Sequence, residues 1–277
     1  MFPTLLEIGW EVRQPYGGDR AIVAGKARTS VERYGERYVI VAPLGVEASG
    51  LAPGFVEEAE PEHGRFVAAC AERGLKVRVG RWRIPGRPRV VLVDFSSQAD
   101  SRDDVLATLW ERFGVDSLFG EWDYFEPVMF GHAAGLAIEA WHDALLAPAG
   151  QRAVAQFHDW TTAAGLLHLH HARPEIGTVF TVHSTVLGAG LATTGRPLEE
   201  ALDGRDPDVA AEDLDLRAKH SLESAAARSA DVLTTVALTT ASEAELLLDR
   251  RPVLTTPDGI DLELVDDQRA ALGEGEA

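Results

Sequence analysis

Short apolar runs that end in polar or glycine-bearing turns, each followed by a helical stretch, recur along this chain and leave it few architectures. YVIVAPLG at 38–45 is one such run, and from Arg152 onward the alternation becomes regular. Strands separated by helices of roughly 10–15 residues predict a mostly parallel sheet with helices on both faces. The fold class expected is therefore α/β, a doubly wound, Rossmann-like sheet.

Other segments fit the same plan. LLEIGW at 5–10 is a short apolar run, and Gly17 and Gly18 precede a helical pattern through AIVAGKARTSVERYG. Residues 46–61 are acidic and carry glycine and proline, which predicts a surface loop. PEHGRFVAACAERG predicts a helix stopped by Gly74. KVRVGRWRI and RPRVVLVDF predict a hairpin turning at Pro85–Gly86, and DDVLATLWERFG and EPVMFGHAAGLAIEAWHDALL two amphipathic helices. Beyond Arg152, helices are expected at 160–172, 185–191, 208–229 and 239–249, with 193–208 a polar excursion over the surface. Residues 1–265 are read as one domain and the acidic 266–277 as a frayed tail.

Composition narrows the function classes. Hydrophobic residues make up 45% of the 277, enough for a substantial core. No apolar run approaches the ~18 residues of a membrane span, and MFPTLLEIGW lacks the parts of a signal peptide, so a soluble cytoplasmic protein is expected. The net charge of −18 repels nucleic acid and anionic lipid, and neither is expected as a partner. Lysine occurs only at Lys26, Lys76 and Lys219, the remaining basic residues being arginine, which suits a GC-rich genome or a salt-adapted cytoplasm alike. The single cysteine, Cys70, lies in an apolar helical stretch and reads as a buried, inert thiol.

In an open parallel sheet, ligands bind beyond the carboxyl ends of the strands, so the turns after strands hold the candidates. Gly17 and Gly18 let backbone N–H groups and a helix start face an anion or a sugar oxygen. The same pair serves equally as a plain tight turn, with Asp19 as an N-cap residue. His158, Asp159 and Trp160 close the strand VAQFH; they suit holding sugar hydroxyls and stacking a sugar face, or else helix capping and packing. His183, followed by Ser184 and Thr185, is the neutral histidine best placed to bond a substrate hydroxyl. His168, His170 and His171 read as a solvated helix face, since metal binding needs more convergent ligands. Glu243 and Glu245 fall on different helix faces and do not form an acid/base pair. Pro257-Asp258-Gly259-Ile260-Asp261 reads as a turn leading the chain outward. The absence of a GxGxxG fingerprint argues against nicotinamide or flavin chemistry.

LLEIGWEV with Gly17-Gly18, YVIVAPLG, GRWRIPGRPRVVLVDF, AQFHDW, FTVHSTVLG, SADVLTTV and PDGID, in this order and spacing, resemble the N-terminal domain of the glycogen synthases of glycosyltransferase family three, the animal and fungal type. The resemblance covers nearly the whole chain. It implies a GT-B architecture and retaining transfer of glucose from UDP-glucose, as substrate, to an α-1,4-glucan, with no cofactor and no metal. It implies that Gly17 and Gly18 lie near the donor's phosphate and sugar, that His158, Asp159, Trp160 and Thr185 line the substrate site, and that His183 contacts the transferred glucose. Departures from the family pattern are Asp19-Arg20 after the glycine pair, Ala189 in place of a basic residue, Ala237 in place of a serine and Asp258 in place of an asparagine. The resemblance leaves no residues for the C-terminal nucleotide-binding domain. The chain alone is thus expected to be inactive, and to need a second domain or a complementary chain. The alternative is a non-catalytic module that binds glucan or a protein partner. The surface facing such a partner is expected to be partly apolar and to favour a homo-oligomer or a hetero-complex.

Overall fold

The computed structural model describes residues 2–10, 18–44, 54–58, 60–259, 261–263 and 265, apart from the side chains of 18–20. Among the described residues, one sheet of nine strands forms the centre. They are β1 (Thr4–Ile8), β2 (Tyr38–Pro43), β3 (Phe55–Glu57), β4 (Lys76–Trp82), β5 (Arg89–Asp94), β6 (Ala153–His158), β7 (Gly177–Val182), β8 (Val232–Thr235) and β9 (Leu254–Thr255). Their spatial order is β3-β4-β5-β2-β1-β6-β7-β8-β9. All pairs are parallel except those of β4, which runs against both β3 and β5. The mostly parallel α/β sheet is the one the alternation predicts.

The connecting helices are α1 (Gly18–Tyr34), α2 (Pro61–Glu72), α3 (Arg102–Phe113), α4 (Trp122–Trp141), α5 (Asp159–Ala172), α6 (Val186–Ala192), α7 (Leu198–Leu202), α8 (Pro207–Asp213), α9 (Arg217–Ser229) and α10 (Leu238–Leu247). Three expectations change. The loop expected over 46–61 contributes β3, which pairs with β4 because Phe55 is buried against Trp82. The polar excursion over 193–208 holds the short α7, which buries Ala201 and Leu202 in a satellite cluster. The helix expected over 208–229 is broken in two: Asp215 takes a left-handed φ of 56°, and Leu216 starts again.

Period two along the strands sorts the sheet into two faces. Leu6 and Ile8 of β1, Val39 and Val41 of β2, and Ala155 and Phe157 of β6 face a large core built with α2, α3, α4, α5 and α9. Tyr38, Ile40 and Ala42 face the other way, against Val23, Ala24 and Ala27 of α1. Each fully buried Leu, Ile or Phe contributes roughly 1.5–3 kcal/mol, so both layers hold the sheet firmly. The second face turns polar from β1 onward: Glu7, Gln156, His158 and Thr181 occupy positions where an apolar side chain would complete the layer. Among the described residues no helix is long and apolar enough to cross a membrane.

Candidate functional site

The chain leaves β1 toward β2 and β5 on one side, and returns at β6 to continue toward β9 on the other. β1 pairs in parallel with both β2 and β6, so its carboxyl end lies at the point where the strand order reverses. Connections depart there in opposite directions and leave a crevice. A cleft of about 430 Å³ lies beside it on the α1 face, lined by Leu5, Lys26, Gln156, His158, His183 and Asp258 among others.

Glu7 is the centre of the site, with no exposed surface. Its Oε1 lies 2.7 Å from Nε2 of His158 and 2.5 Å from Nζ of Lys26, and its Oε2 accepts from the Tyr38 hydroxyl. Burial alone would raise its pKa, but the positive charge of Lys26 and the contact with His158 outweigh burial and hold it at about 2. Glu7 is therefore a fixed anion, and a proton donor in no ordinary pH range. Burial and the Glu7 charge push Tyr38 well above its usual range, which keeps its hydroxyl a donor.

The contacts continue toward the cleft. Nδ1 of His158 meets Nε2 of His183 at 2.8 Å, and Nδ1 of His183 lies 3.7 Å from the carboxylate of Asp258. Burial, reinforced by His158 and Lys26, lowers the pKa of His183 to about 3, so its ring is neutral at physiological pH. Burial raises that of Asp258. On the cleft wall, the Gln156 amide donates to Thr181 at 2.9 Å, and Thr181 shares a hydrogen bond with Thr234 at 2.9 Å. The result is a hydrogen-bonding wall, with the cations Lys26 and Arg33 and the acid Asp258 also lining the cleft. Such a surface suits a hydroxyl-rich ligand.

Three carboxylates fix the turn that carries His183. Asp159 accepts from the backbone N–H of His183 at 2.8 Å, Glu223 from that of Val186 at 2.9 Å, and Glu243 from the Thr185 hydroxyl at 2.9 Å. Asp159 does so from a left-handed backbone, φ 53°, a conformation that strains most residues and concentrates where function requires it. Glu223 is fully buried, and burial, with Asp159 and Glu243 nearby, raises its pKa well above the usual range.

The sequence-predicted residues thus separate. His158, His183 and Asp159 come together. Trp160 turns toward the main core, where its ring stacks on Tyr124 with an interplanar angle of 3° and the Lys219 ammonium lies 5.4 Å from it. Thr185 is fully buried as the N-cap of α6, accepting from Gly188 N–H at 3.2 Å. Gly18 is the first residue of α1, and Gly17 lies outside the described residues. His168 departs from the solvated face expected for it: it is largely buried and bonded to Glu139 at 2.8 Å. His171 remains exposed, facing Arg112 at 2.8 Å. Cys70 is buried, and burial pushes its thiol up to about 12. Glu7, Lys26, Tyr38, Gln156 and Thr181 escaped the sequence reading. The one signal for Glu7 is a lone acid amid the apolar residues of LLEIGW.

Among the described residues, Glu60, Glu62 and His63 could converge on a metal ion. The Arg89 guanidinium lies 3.1 Å from Glu60 and 3.7 Å from Glu62, a fixed cation among those carboxylates. They sit toward the amino ends of the parallel strands, away from the crevice at the carboxyl ends, since Arg89 begins β5.

The family model described as glycogen synthase matches residues 7–268. The chain is 32% identical over 261 residues to the liver glycogen (starch) synthase of Mus musculus, covering 93% of this chain and 36% of that protein. It is 29% identical over 260 residues to the glycogen (starch) synthase of Neurospora crassa, again covering 93% and 36%. The chain therefore spans about a third of the length of these relatives. Among solved structures, the catalytic domain of starch synthase IV from Arabidopsis thaliana, bound to ADP and acarbose, shares the fold with a TM-score of 0.51 at 17% identity, over 94% of this chain and 52% of that one. The chain belongs to the glycogen synthase family.

Proposed function

We propose that the chain forms the sugar-binding side of a glycogen-synthase-type glucosyltransferase. In this reading His183 and His158 hold the glucose of a nucleotide-glucose at the β1–β6 crevice. Gly17 and Gly18 lie near its phosphates, and the glucose passes with retention to the end of an α-1,4-glucan. The observation that carries the reading is the cleft at the reversal of strand order, walled by hydrogen-bonding groups. The nucleotide sugar is a substrate, and no cofactor has a role. Stabilising charge on the leaving group is commonly the largest single contribution to such catalysis, and the cleft's Lys26, already bonded to Glu7, and Arg33, set over the Phe2 and Tyr34 rings, offset only part of a diphosphate. A second domain or chain then supplies the remaining cations.

Calorimetry with UDP-glucose and with a linear maltooligosaccharide tests the reading. His183→Ala is expected to weaken UDP-glucose binding about tenfold, the worth of one ligand hydrogen bond. Binding of UDP-glucose that His183→Ala leaves unchanged would remove His183 from the site. Incubated alone with UDP-glucose and a glucan primer, the chain is expected to give no transfer, and robust turnover would show that no complementing half is needed. A second reading, a non-catalytic glucan-binding module, is favoured by Ala189, exposed at the position where the family pattern sets a basic residue. Under it, glucan affinity survives His183→Ala and UDP-glucose does not bind.

A further inference from the structure

We propose that Glu7 acts through His158 to fix the proton of His183 on Nε2, leaving Nδ1 a bare acceptor that reads a ligand hydroxyl donating to it. The second half of this proposal rests on the sugar-site reading above; the first stands on geometry alone.

The logic is one of donors and acceptors. An ionised carboxylate only accepts, so Nε2 of His158, 2.7 Å from Oε1 of Glu7, carries its hydrogen. In a neutral ring the other nitrogen then holds a lone pair. Nδ1 of His158 must therefore accept, and Nε2 of His183, 2.8 Å away, must donate. That assigns the lone pair of His183 to Nδ1, a buried nitrogen that makes no hydrogen bond among the described residues.

Asp258 pulls the other way, because its carboxylate favours a hydrogen on that same Nδ1. Distance decides between the two. Asp258 stands 3.7 Å off, beyond hydrogen-bond reach. Reversing the array would set a bare Nε2 of His158 against Glu7 at 2.7 Å. Glu7 is also the more firmly charged of the two, since Lys26 and Tyr38 both bond it. Asp258 lies past β9 with its side chain 39% exposed, free to swing into solvent when a ligand takes its place over Nδ1. A group that only accepts discriminates sharply: it welcomes a hydroxyl, and rejects a fluorine or an ether oxygen at the same position. Glu7 and His158 are thus positioning residues, and His183 makes the contact.

The test is the tautomer itself, read from nitrogen chemical shifts of the ¹⁵N-histidine-labelled chain in mildly alkaline buffer without ligand. His183 is expected in the Nε2–H form. Glu7→Gln, whose amide oxygen still accepts, is expected to keep that form. Glu7→Ala is expected to lose the bias, and His158→Phe to hand control to Asp258 and switch His183 to Nδ1–H. Should Glu7→Ala fail to fold, the His158→Phe spectrum carries the comparison. An Nδ1–H signal in the parent chain, or an unchanged tautomer in both Glu7→Ala and His158→Phe, overturns the proposal. Adding UDP-glucose is then expected to shift Nδ1 while Nε2 keeps its hydrogen, and a ligand-induced move of the hydrogen to Nδ1 overturns the acceptor role. No response at all to UDP-glucose, with the tautomer as expected, faults the sugar-site reading and the hydroxyl assignment while leaving the fixed tautomer standing.

Discussion

Inside the sheet Glu7 stays ionised because Lys26, His158 and Tyr38 all direct hydrogens at it. Its pKa falls from 4.5 to about 2, so folding favours the charged form. The stability this gives is complete above 4.5 and is lost as pH falls toward 2, a difference of about 3 kcal/mol. Buried imidazoles act earlier on the same acid limb. Burial lowers His132 to about 4 and His183 to about 3, from 6.5. The unfolded chain binds those protons first, so stability starts to fall as pH drops below 6.5. Urea unfolding across this range is expected to show a loss that His132→Leu reduces between 6.5 and 4, and that Glu7→Gln reduces only lower down. A His132→Leu curve parallel to the parent's would mean that burial does not hold this ring neutral.

Between elements, α4 and α5 meet backbone to backbone. A Cβ on Gly165 would lie 2.3 Å from the carbonyl oxygen of Gly131 and 2.9 Å from the Phe157 ring, so neither helix can yield without moving. Because α5 begins at Asp159, one residue past His158, such a movement reaches the site. Gly165→Ala is expected to cost about 1–3 kcal/mol and to shift the His158 and His183 imidazole resonances. Gly64→Ala, on the exposed face of α2 with open space around it, is expected to add up to about 1 kcal/mol and leave those resonances still. Thermal melts with histidine spectra separate the two. The helices and strands themselves were largely legible, because apolar periodicity reports local burial. His158 and His183 were legible too, since His158 ends β6 and His183 directly follows β7. Glu7, Gln156 and Thr181 were not, because a polar residue within an apolar strand gains its meaning only from partners on other strands, as Glu7 does from His158, 151 residues on, and Gln156 from Thr181, 25 residues on. Lys26 reads as an ordinary solvent-facing helix residue until α1 is laid on the sheet. Asp258, in a turn that the sequence predicts to lead outward, instead stands beside His183, because the segment after β9 turns back to α1. There Gly259 approaches Gly25 so closely that a Cβ on Gly25 would lie 2.8 Å from its carbonyl oxygen, and Asp261 pairs with Arg28 at 2.6 Å.

At the scale of the whole molecule, the excess of acid governs how stability responds to salt. A net charge of −18 makes the compact state repel itself. Opposing that are surface ion pairs, such as Arg81 with Glu36 at 2.7 Å and Glu58 at 2.9 Å, and Arg205 with Asp213 at 2.7 Å. Salt screens both, and the sign of its net effect shows which is larger. Exposed pairs contribute about 0–1 kcal/mol each and many contribute nothing measurable, whereas an unbalanced charge of this size is felt by every acidic side chain on the surface. Repulsion should therefore dominate. The interior pair of Glu7 and Lys26 is mostly removed from water and barely screened, so it does not cloud the comparison. The melting temperature is expected to rise as sodium chloride is raised from a few millimolar to about 0.15 M, where the Debye length shortens to about 8 Å. Charge-neutralising substitutions of acids without an ion-pair partner among the described residues, such as Glu245→Gln on α10, should raise the low-salt melting temperature and flatten its salt dependence. A melting temperature that falls with salt would mean that the arginine–carboxylate pairs around β4 and β5 outweigh the repulsion and act as a network rather than as isolated surface pairs.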